Sequence, residues 1–196
     1  MPPKPRVYIV HGFRGAPNGD WFPWLMDELH KKGIYACSLP MPTPEMPILS
    51  EWVDTIGHAV ITPDEGVILV GHSLGAVAVL RYLESLPADA SLINRVFLCS
   101  MPIEKLKIGD ATSKLRQIDN FLETSFDDEK IRAHCELFTI FHGDNDALVP
   151  VSHAEKLQEL LGGELVLISN GGHLSNYEGV RELPELLEGI LNTFAE

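Results

Sequence analysis

Short runs of apolar and β-branched residues recur along the whole chain, each followed by a turn signal and then by a stretch with helical spacing. The strand candidates are residues 6–10, 34–38, 67–70, 95–99, 137–141 and 165–168. The helix candidates are residues 24–32, 49–60, 74–86, 127–133, 152–161 and 183–194. Such alternation is typical of α/β proteins, because helical crossovers connect the strands of a parallel sheet. We therefore predict an α/β three-layer sandwich with a mostly parallel sheet of about six strands.

Two stretches interrupt this alternation. Residues 39–47 contain four prolines, and we predict a rigid connection over the edge of the sheet rather than a ligand for an aromatic groove. Residues 101–126 follow the end of a strand candidate. They are a candidate for a small flap over a site.

Length and charge limit the possible classes of protein. The 196 residues fit one domain, so we expect a single domain over residues 1–196. A hydrophobic fraction of 45% and a charged fraction of 22% argue against disorder. The formal net charge of -13 repels phosphate backbones and anionic lipid headgroups, so we expect neither nucleic acid nor a membrane as partner.

The cysteines and the N-terminus bear on the location of the protein. Cys37, Cys99 and Cys135 are widely spaced and odd in number, and two of them lie in apolar runs. We expect reduced thiols and no disulfide. The chain enters its first strand candidate without room for a signal sequence, and no apolar run approaches the roughly 20 residues of a membrane span. A cytoplasmic location is therefore expected.

The motif Gly-His-Ser-Leu-Gly, residues 71–75, joins a strand candidate to an apolar helical run. Gly-x-Ser-x-Gly at such a junction predicts a nucleophile elbow, in which Gly71 and Gly75 give the clearance that a sharp turn needs. Because the helix begins directly after Ser73, the Leu74 N–H and the helix dipole point at any oxyanion formed there. Ser73 is the candidate nucleophile. A tight glycine turn with a solvated serine is the alternative interpretation.

A base for this serine must lie on a loop at the same edge of the sheet, after the last strand. His173 fits, because it follows the strand candidate 165–168 in a Gly-Gly-His turn. His142 and His153 compete with it. His142 is typical of a packed residue at a strand end, and His153 falls in the first turn of a helix candidate. A solvated turn histidine is the alternative for His173.

The orienting acid is expected on the loop after the neighbouring strand, where the chain carries Asp144 and Asp146. Spacing alone does not separate them, since one can cap the turn while the other holds the imidazole tautomer. Two carboxylates this close also suggest a cation site. No further cluster of Asp, Glu or His has ligand spacing, however, so we expect no metal.

A second oxyanion donor is expected from the loop after the first strand, where Gly12 allows a turn and the Phe13 N–H is the candidate. His11, Gly12 and Arg14 are candidates to line a substrate pocket. For Arg14, a surface salt bridge is an equal alternative. Trp21 is a candidate for the pocket wall, although packing of the first helix explains it as well.

Taken together, these pieces resemble an α/β-hydrolase. They are His-Gly-Phe after the first strand, Gly-His-Ser-Leu-Gly, Gly-Asp-Asn-Asp-Ala-Leu-Val-Pro and Gly-Gly-His. More narrowly, the chain is similar over nearly its full length to the small serine hydrolases of the retinoblastoma-binding protein 9 family and to the bacterial YdeN-like proteins. The family-specific pieces are Trp-Phe-Pro-Trp-Leu at 21–25, Met-Pro-Thr-Pro at 41–44 and Gly-Gly-His at 171–173.

The resemblance implies a reduced α/β-hydrolase sheet of about six strands without a large cap. It also implies that the catalytic acid is the Asp of Gly-x-x-Asp, here Asp146, and that Ser73 and His173 are the nucleophile and the base. The vertebrate member is named for a Leu-x-Cys-x-Glu retinoblastoma-binding motif, which none of the three cysteines here carries. That partner is not implied for this chain, so any protein partner stays unknown.

We therefore hypothesise a serine hydrolase that acts on a small-molecule ester, or less readily on an amide. Ser73, His173 and Asp146 are its predicted triad, and the N–H groups of Phe13 and Leu74 its predicted oxyanion hole. Thioesterase and aminopeptidase are alternatives within the enzyme class. A hypothesis of another class is a binding protein on the same scaffold, because fold does not fix function. No Walker, Rossmann or metal signature is present, so we expect no cofactor.

Overall fold

The computed structural model describes residues 3–106 and 116–194. One sheet contains the strands β1 (Arg6–Val10), β2 (Tyr35–Leu39), β3 (Val67–His72), β4 (Arg95–Cys99), β5 (Phe138–Gly143) and β6 (Glu164–Ile168). Their order is β2-β1-β3-β4-β5-β6, and every neighbouring pair is parallel. The carboxyl ends of all six strands therefore lie at one edge, where ligand sites of parallel sheets form.

Helices connect these strands. The α-helices are α1 (Phe22–Lys31), α2 (Leu49–Val60), α3 (Leu74–Ser85), α4 (Asp128–His134), α5 (Ser152–Leu161) and α6 (Pro184–Asn192). Two short 3₁₀ helices span Arg116–Phe121 and Asn176–Glu178. Within the described ranges, no helix has both the length and the apolar character needed to cross a bilayer.

The helices form a layer on each face of the sheet. On one face, Phe22 and Leu25 of α1 and Ile190 of α6 join the core that contains Val7 and Ile9 of β1. On the other face, residues of α2 to α5 join the core that contains Tyr8 and Val10. Alternate residues of one strand thus enter different cores, as the strand period of two requires. The predicted three-layer α/β sandwich is confirmed, and its described sheet is wholly parallel.

Several predicted boundaries differ from the observed ones at the ends of strands. β3 was expected to end at Val70, but its pairing continues through Gly71 and His72, which lie opposite Leu98 and Cys99 of β4. β5 likewise continues to Gly143. Residue preferences predict early ends for these strands, because glycine and histidine are weak strand formers. In the structure, backbone hydrogen bonds to the neighbouring strands extend the strands through these residues.

The proline-rich stretch after β2 runs from the edge of the sheet toward the loop after β1. The Met41 N–H donates to His11 Nε2 at 3.3 Å, and the Pro42 carbonyl accepts from Trp52 Nε1 at 2.8 Å. The Pro44 carbonyl accepts from the Arg14 N–H at 2.9 Å. These bonds attach the predicted rigid connection to α2 and to the loop that follows β1.

The start of α3 lies directly against the end of β1. A Cβ atom on Gly75 would overlap the carbonyl oxygens of Val10 and His11. A Cβ on Gly71 would overlap the backbone of Ala76. Residues 74–83 of α3 are all buried, so the helix cannot shift away from β1 to make room for a larger side chain. The motif glycines are therefore required by close packing of backbone against backbone.

This packing predicts opposite effects for two glycine-to-alanine substitutions. Gly75→Ala should lower the free energy of unfolding by about 3 kcal/mol, because the new methyl group meets fixed backbone. Gly57→Ala is the matched control, since its methyl would lie 3.6 Å from Tyr82 Cε2 within helix α2. It should raise that free energy by about 0.5–1 kcal/mol, because glycine is a poor helix former. Urea unfolding curves measure both, and a neutral Gly75→Ala would contradict the close contact.

Candidate active site

Ser73 occupies the turn between β3 and α3 in an unusual backbone conformation. Its φ of 53° and ψ of -122° lie outside the common regions for a residue with a side chain. Its N–H donates to the Cys99 carbonyl at 2.8 Å, which fixes the turn to the neighbouring strand. Backbone strain of this kind costs about 1–3 kcal/mol and persists only where the surroundings impose it. The turn places the hydroxyl at the carboxyl edge of the sheet.

The structure brings the three predicted triad side chains into one chain of hydrogen bonds. His173 Nε2 lies 2.9 Å from Ser73 Oγ, and His173 Nδ1 lies 2.8 Å from Asp146 Oδ2. Because a carboxylate only accepts, the network assigns the imidazole proton to Nδ1 and leaves Nε2 to accept the Ser73 proton. This arrangement can remove a proton from the serine hydroxyl as it attacks.

The two aspartates that spacing left open occupy different positions. Asp146 is buried, and its second oxygen, Oδ1, accepts the N–H groups of Leu148 and Val149 at 2.8 and 2.9 Å. Burial by itself would raise the pKa of Asp146, but the bond to His173 and these two N–H groups outweigh burial and hold that pKa below its usual value. Asp144 instead accepts the Asn170 N–H at 2.8 Å and is exposed. Only Asp146 contacts the imidazole.

The competing histidines do not approach Ser73 in this way. His142 is fully buried, and its Nε2 donates to the Val149 carbonyl at 2.8 Å. Burial lowers its pKa, so it stays neutral near pH 7. His153 Nδ1 accepts the Ile103 N–H at 3.1 Å. Both rings bind backbone groups of loops around the site.

The loop after β1 passes directly over Ser73. A Cβ atom on Gly12 would lie 3.0 Å from Ser73 Cβ and 3.5 Å from its Oγ, so only glycine allows this approach. Phe13 and Leu74 both line the adjoining cavity. Their backbone N–H groups have no acceptor among residues 3–106 and 116–194. Two unpaired donors beside a serine hydroxyl can stabilise an oxyanion.

A cavity of about 390 Å³ opens beside Ser73. Gly12 and Arg14, two of the predicted pocket residues, line it. The Arg14 guanidinium lies 4.9 Å from the Phe13 ring centroid and pairs with Glu45 at 2.8 Å, with both side chains at least half exposed. Both interpretations of Arg14 therefore hold in part, since it borders the cavity and also forms a surface salt bridge.

His11 and Trp21, the other two predicted pocket residues, are not among the residues that line this cavity. His11 is buried away from the cavity, with Nδ1 on the Gly12 carbonyl at 2.9 Å and Nε2 accepting the Met41 N–H. Trp21 has no exposed surface and donates from Nε1 to the Leu174 carbonyl at 3.0 Å. Each of these buried side chains forms a hydrogen bond to the backbone of another loop near the site. His11 binds the loop that contains Met41, and Trp21 binds the loop that contains Leu174.

The stretch 101–126, the flap candidate, contributes to the cavity from its two described ends. Pro102 and Leu106 line the cavity from one end and Ile118 from the other. Residues 107–115 lie outside the described part of the chain, so this part of the flap prediction is untested. Among the residues that the structure describes, no three His, Cys, Asp or Glu side chains are grouped to share a metal ion.

Comparisons with known proteins show the family of this chain. A sequence model of a family described as serine hydrolase matches residues 7–191. The chain belongs to this family. YdeN of Bacillus subtilis is 31% identical over 191 residues, which are 97% of this chain and 97% of YdeN. The crystal structure of YdeN matches with a TM-score of 0.90 and 32% identity, over 98% of this chain and 100% of that one.

Two more distant proteins extend the comparison. The serine hydrolase RBBP9 of Rattus norvegicus is 25% identical over 190 residues, 95% of each chain. Est1E from Butyrivibrio proteoclasticus is 17% identical with a TM-score of 0.71, over 100% of this chain and 90% of that one, and at this identity shows the fold alone. The predicted family and the α/β-hydrolase fold without a large cap are confirmed. The protein is an enzyme of the hydrolase type.

Sequence reasoning missed five polar residues of this serine hydrolase that line the same cavity, which are Asp20, His72, Ser175, Tyr177 and Glu178. His72 lies inside the Gly-x-Ser-x-Gly motif, at the position that the motif leaves open. Glu178 follows His173 by five residues, so its proximity to the imidazole depends on a fold-back that no periodicity indicates. Asp20 Oδ1 accepts the Asn176 N–H at 2.9 Å, a contact between segments far apart in the sequence.

The separation of the two aspartates gives a test. Asp146→Asn should slow the reaction of Ser73 with a fluorophosphonate probe by about 10⁴-fold, because an amide there allows the wrong imidazole tautomer. Asp144→Asn keeps an oxygen for the Asn170 N–H, so its rate should stay within about twofold of wild type. Intact mass spectrometry follows both time courses. An equal loss in the two variants would show that the distinction is incorrect.

Proposed function

We propose that this serine hydrolase cleaves a small carboxylic ester through Ser73, His173 and Asp146. The observation that carries the proposal is the unbroken sequence of hydrogen bonds from Asp146 through His173 to Ser73, beside two N–H groups that have no acceptor in the described chain. Nucleophile, base, orienting acid and oxyanion donors are the parts that acyl transfer needs.

In the first half of the reaction, His173 Nε2 takes the Ser73 proton while Oγ attacks the ester carbonyl carbon. The carbonyl electron pair moves to oxygen, and the N–H groups of Phe13 and Leu74 bind the resulting oxyanion. The pair then returns, the bond from carbon to the alkoxy oxygen breaks, and the imidazolium donates its proton to that oxygen. An alcohol leaves, and the acyl group stays on Ser73.

In the second half, water replaces the alcohol. His173 takes one proton of the water as its oxygen attacks the acyl carbonyl, and the oxyanion forms again beside the same donors. When the bond to Ser73 Oγ breaks, the imidazolium returns its proton to Oγ. The products are a carboxylic acid and the free enzyme. Throughout, Asp146 keeps its negative charge and stabilises the imidazolium.

The cavity supports a small and largely apolar acyl group. Its volume of about 390 Å³ lies near the lower end of the roughly 300–1,000 Å³ that small-molecule sites occupy. The apolar part of its wall consists of Phe13, Leu74, Pro102, Leu106, Ile118 and Leu148. We therefore favour an ester with a short or medium acyl chain over a long-chain lipid.

The alternative of a binding protein without turnover has less support. A surface that only docks a partner has no need of a strained serine, an oriented imidazole and free oxyanion donors in one place. Thioester and amide substrates share the same chemistry and remain alternatives for the bond that is cleaved. The three cysteines are free, which supports our proposal that the enzyme works in a reducing compartment such as the cytoplasm.

Substitution of the nucleophile tests the mechanism. Ser73→Ala should lower kcat for p-nitrophenyl butyrate by about 10⁶-fold, because no acyl-enzyme can form. Its unfolding midpoint should not fall, since the turn keeps its backbone bonds. Peptide mapping of a fluorophosphonate adduct should find one modified residue, Ser73, in wild type. A variant that stays active, or an adduct elsewhere, would refute the assignment.

The apolar wall predicts a chain-length optimum. From acetate to butyrate, kcat/KM should rise about fourfold per methylene, because each buried methylene contributes roughly 0.8 kcal/mol. From octanoate to palmitate it should fall, since a long chain exceeds the cavity. A series of p-nitrophenyl esters measured below their critical micelle concentrations decides this. A rate that keeps rising to palmitate would contradict the small acyl site.

A further inference from the structure

The backbone around His173 is held by side chains from other parts of the chain. The Gly172 N–H donates to Asn145 Oδ1 at 2.7 Å, and the Leu174 carbonyl accepts from Trp21 Nε1 at 3.0 Å. Between them, both peptide groups of His173 itself have side-chain partners. The loop that presents the imidazole is therefore fixed, although its glycines would allow many conformations.

Glu178 binds the amino side of His173. Its Oε2 accepts the His173 N–H at 2.8 Å and the Ser175 hydroxyl at 2.8 Å. The side chain reaches this position because the 3₁₀ helix Asn176–Glu178 folds the chain back over Gly172. A Cβ on Gly172 would lie 2.5 Å from Glu178 Cδ, so the carboxylate rests directly on the glycine.

His72 binds the carbonyl side of His173. Its Nε2 lies 2.9 Å from the His173 carbonyl, which can only accept, so Nε2 carries the proton. The two imidazole rings lie against each other with centroids 5.2 Å apart. Burial lowers the pKa of His72 to about 4, with a further contribution from the charge of His173, so it stays a neutral donor at working pH.

We propose that Glu178 and His72 are positioning residues that hold the His173 peptide from both sides and so fix the distance from Nε2 to Ser73 Oγ. This inference rests on the proposed function of His173 as the base. Glu178 also borders the cavity, but its Oε2 is directed to the loop, where it accepts both hydrogen bonds. A displaced base slows proton transfer and so lowers kcat. Because Glu178 and His72 also border the cavity, variants that keep the shape of the side chain separate this effect from a change in substrate binding.

Three variants at position 178 and one control separate geometry from charge and from stability. Glu178→Ala should lower kcat for p-nitrophenyl butyrate by about tenfold or more with little change in KM, because His173 loses its N–H partner. Glu178→Gln keeps an oxygen in the place of Oε2 and should restore kcat to within about threefold of wild type. Glu178→Lys, with no acceptor, should resemble Glu178→Ala.

Glu182→Ala is the matched control, because Glu182 is an exposed glutamate four residues further on and outside the cavity. It removes the same charge and should leave kcat and KM unchanged. If Glu178→Ala keeps the wild-type kcat, or if Glu178→Gln loses as much as Glu178→Ala, positioning by Glu178 is wrong. Thermal unfolding of each variant checks that a loss of kcat is not a loss of folded protein.

The opposite side of the peptide has its own pair of variants. His72→Gln can place an amide N–H where Nε2 now donates, whereas His72→Leu leaves the His173 carbonyl without a donor. We expect His72→Gln to keep at least tenfold more kcat than His72→Leu, with similar KM. If both variants fold and have equal kcat, His72 does not position His173. If His72→Leu does not fold, a His72→Gln enzyme as slow as His173→Ala would also exclude His72 from this role.

Fluorophosphonate labelling distinguishes failure of this inference from failure of the proposed function. A wild-type protein that is folded but unlabelled would contradict the catalytic role of Ser73 and His173. A labelled wild type, an unlabelled His173→Ala and a Glu178→Ala that labels at the wild-type rate would keep the triad and overturn only the positioning proposal.

Discussion

A backbone contact at the carboxyl edge of the sheet determines the geometry of the site. Because Gly75 carries no side chain, the first turn of α3 packs against the carbonyl oxygens at the end of β1. Ser73, two residues earlier, has a positive φ, and the loop after β1 comes so close that a Cβ atom on Gly12 would lie 3.0 Å from Ser73 Cβ. The proposed oxyanion donors, the N–H groups of Phe13 and Leu74, lie on the two sides of this contact. A bulkier residue at either glycine would separate the donors from the hydroxyl.

Because the sheet is parallel, the other residues of the proposed site lie on short loops close to Ser73. The loops after β1, β3, β5 and β6 all leave the sheet at one edge, so Phe13, Ser73, Asp146 and His173 need only short loops to meet. Two neutral histidines, His72 and His142, donate hydrogen bonds to backbone carbonyls of the loops that carry the proposed base and the proposed acid. Burial lowers the pKa of both, which keeps uncompensated positive charge out of a buried region.

The sequence alone predicts most of the secondary-structure elements and the candidate site residues whose chemistry requires a specific motif. β1, β4, α2 and α5 have the predicted bounds, because strong β-branched or amphipathic runs end there at clear turn signals. A motif and the order of residues along the chain predict that Ser73 and His173 belong to one site, and the structure brings their side chains within hydrogen-bond distance. Asp144 and Asp146 were not separable from spacing, since the decisive N–H groups of Leu148 and Val149 converge only in the folded turn. Trp21 and Glu178 bind backbone groups of Leu174 and His173, contacts that no periodic pattern of the sequence indicates.

Arg81 connects α3, the helix that begins directly after Ser73, to a segment that forms part of the cavity wall. Although it lies on the buried face of α3, its guanidinium donates to the carbonyls of Phe121, Thr124 and Ser125, pairs with Glu84 at 2.7 Å and lies 4.2 Å from the Phe126 ring centroid. The segment it anchors carries Ile118 to the cavity and contributes nothing to the triad. Changes of sequence within residues 116–126 would therefore alter which acyl groups the proposed enzyme accepts and leave Ser73, His173 and Asp146 in place, so selectivity can change independently of the reaction.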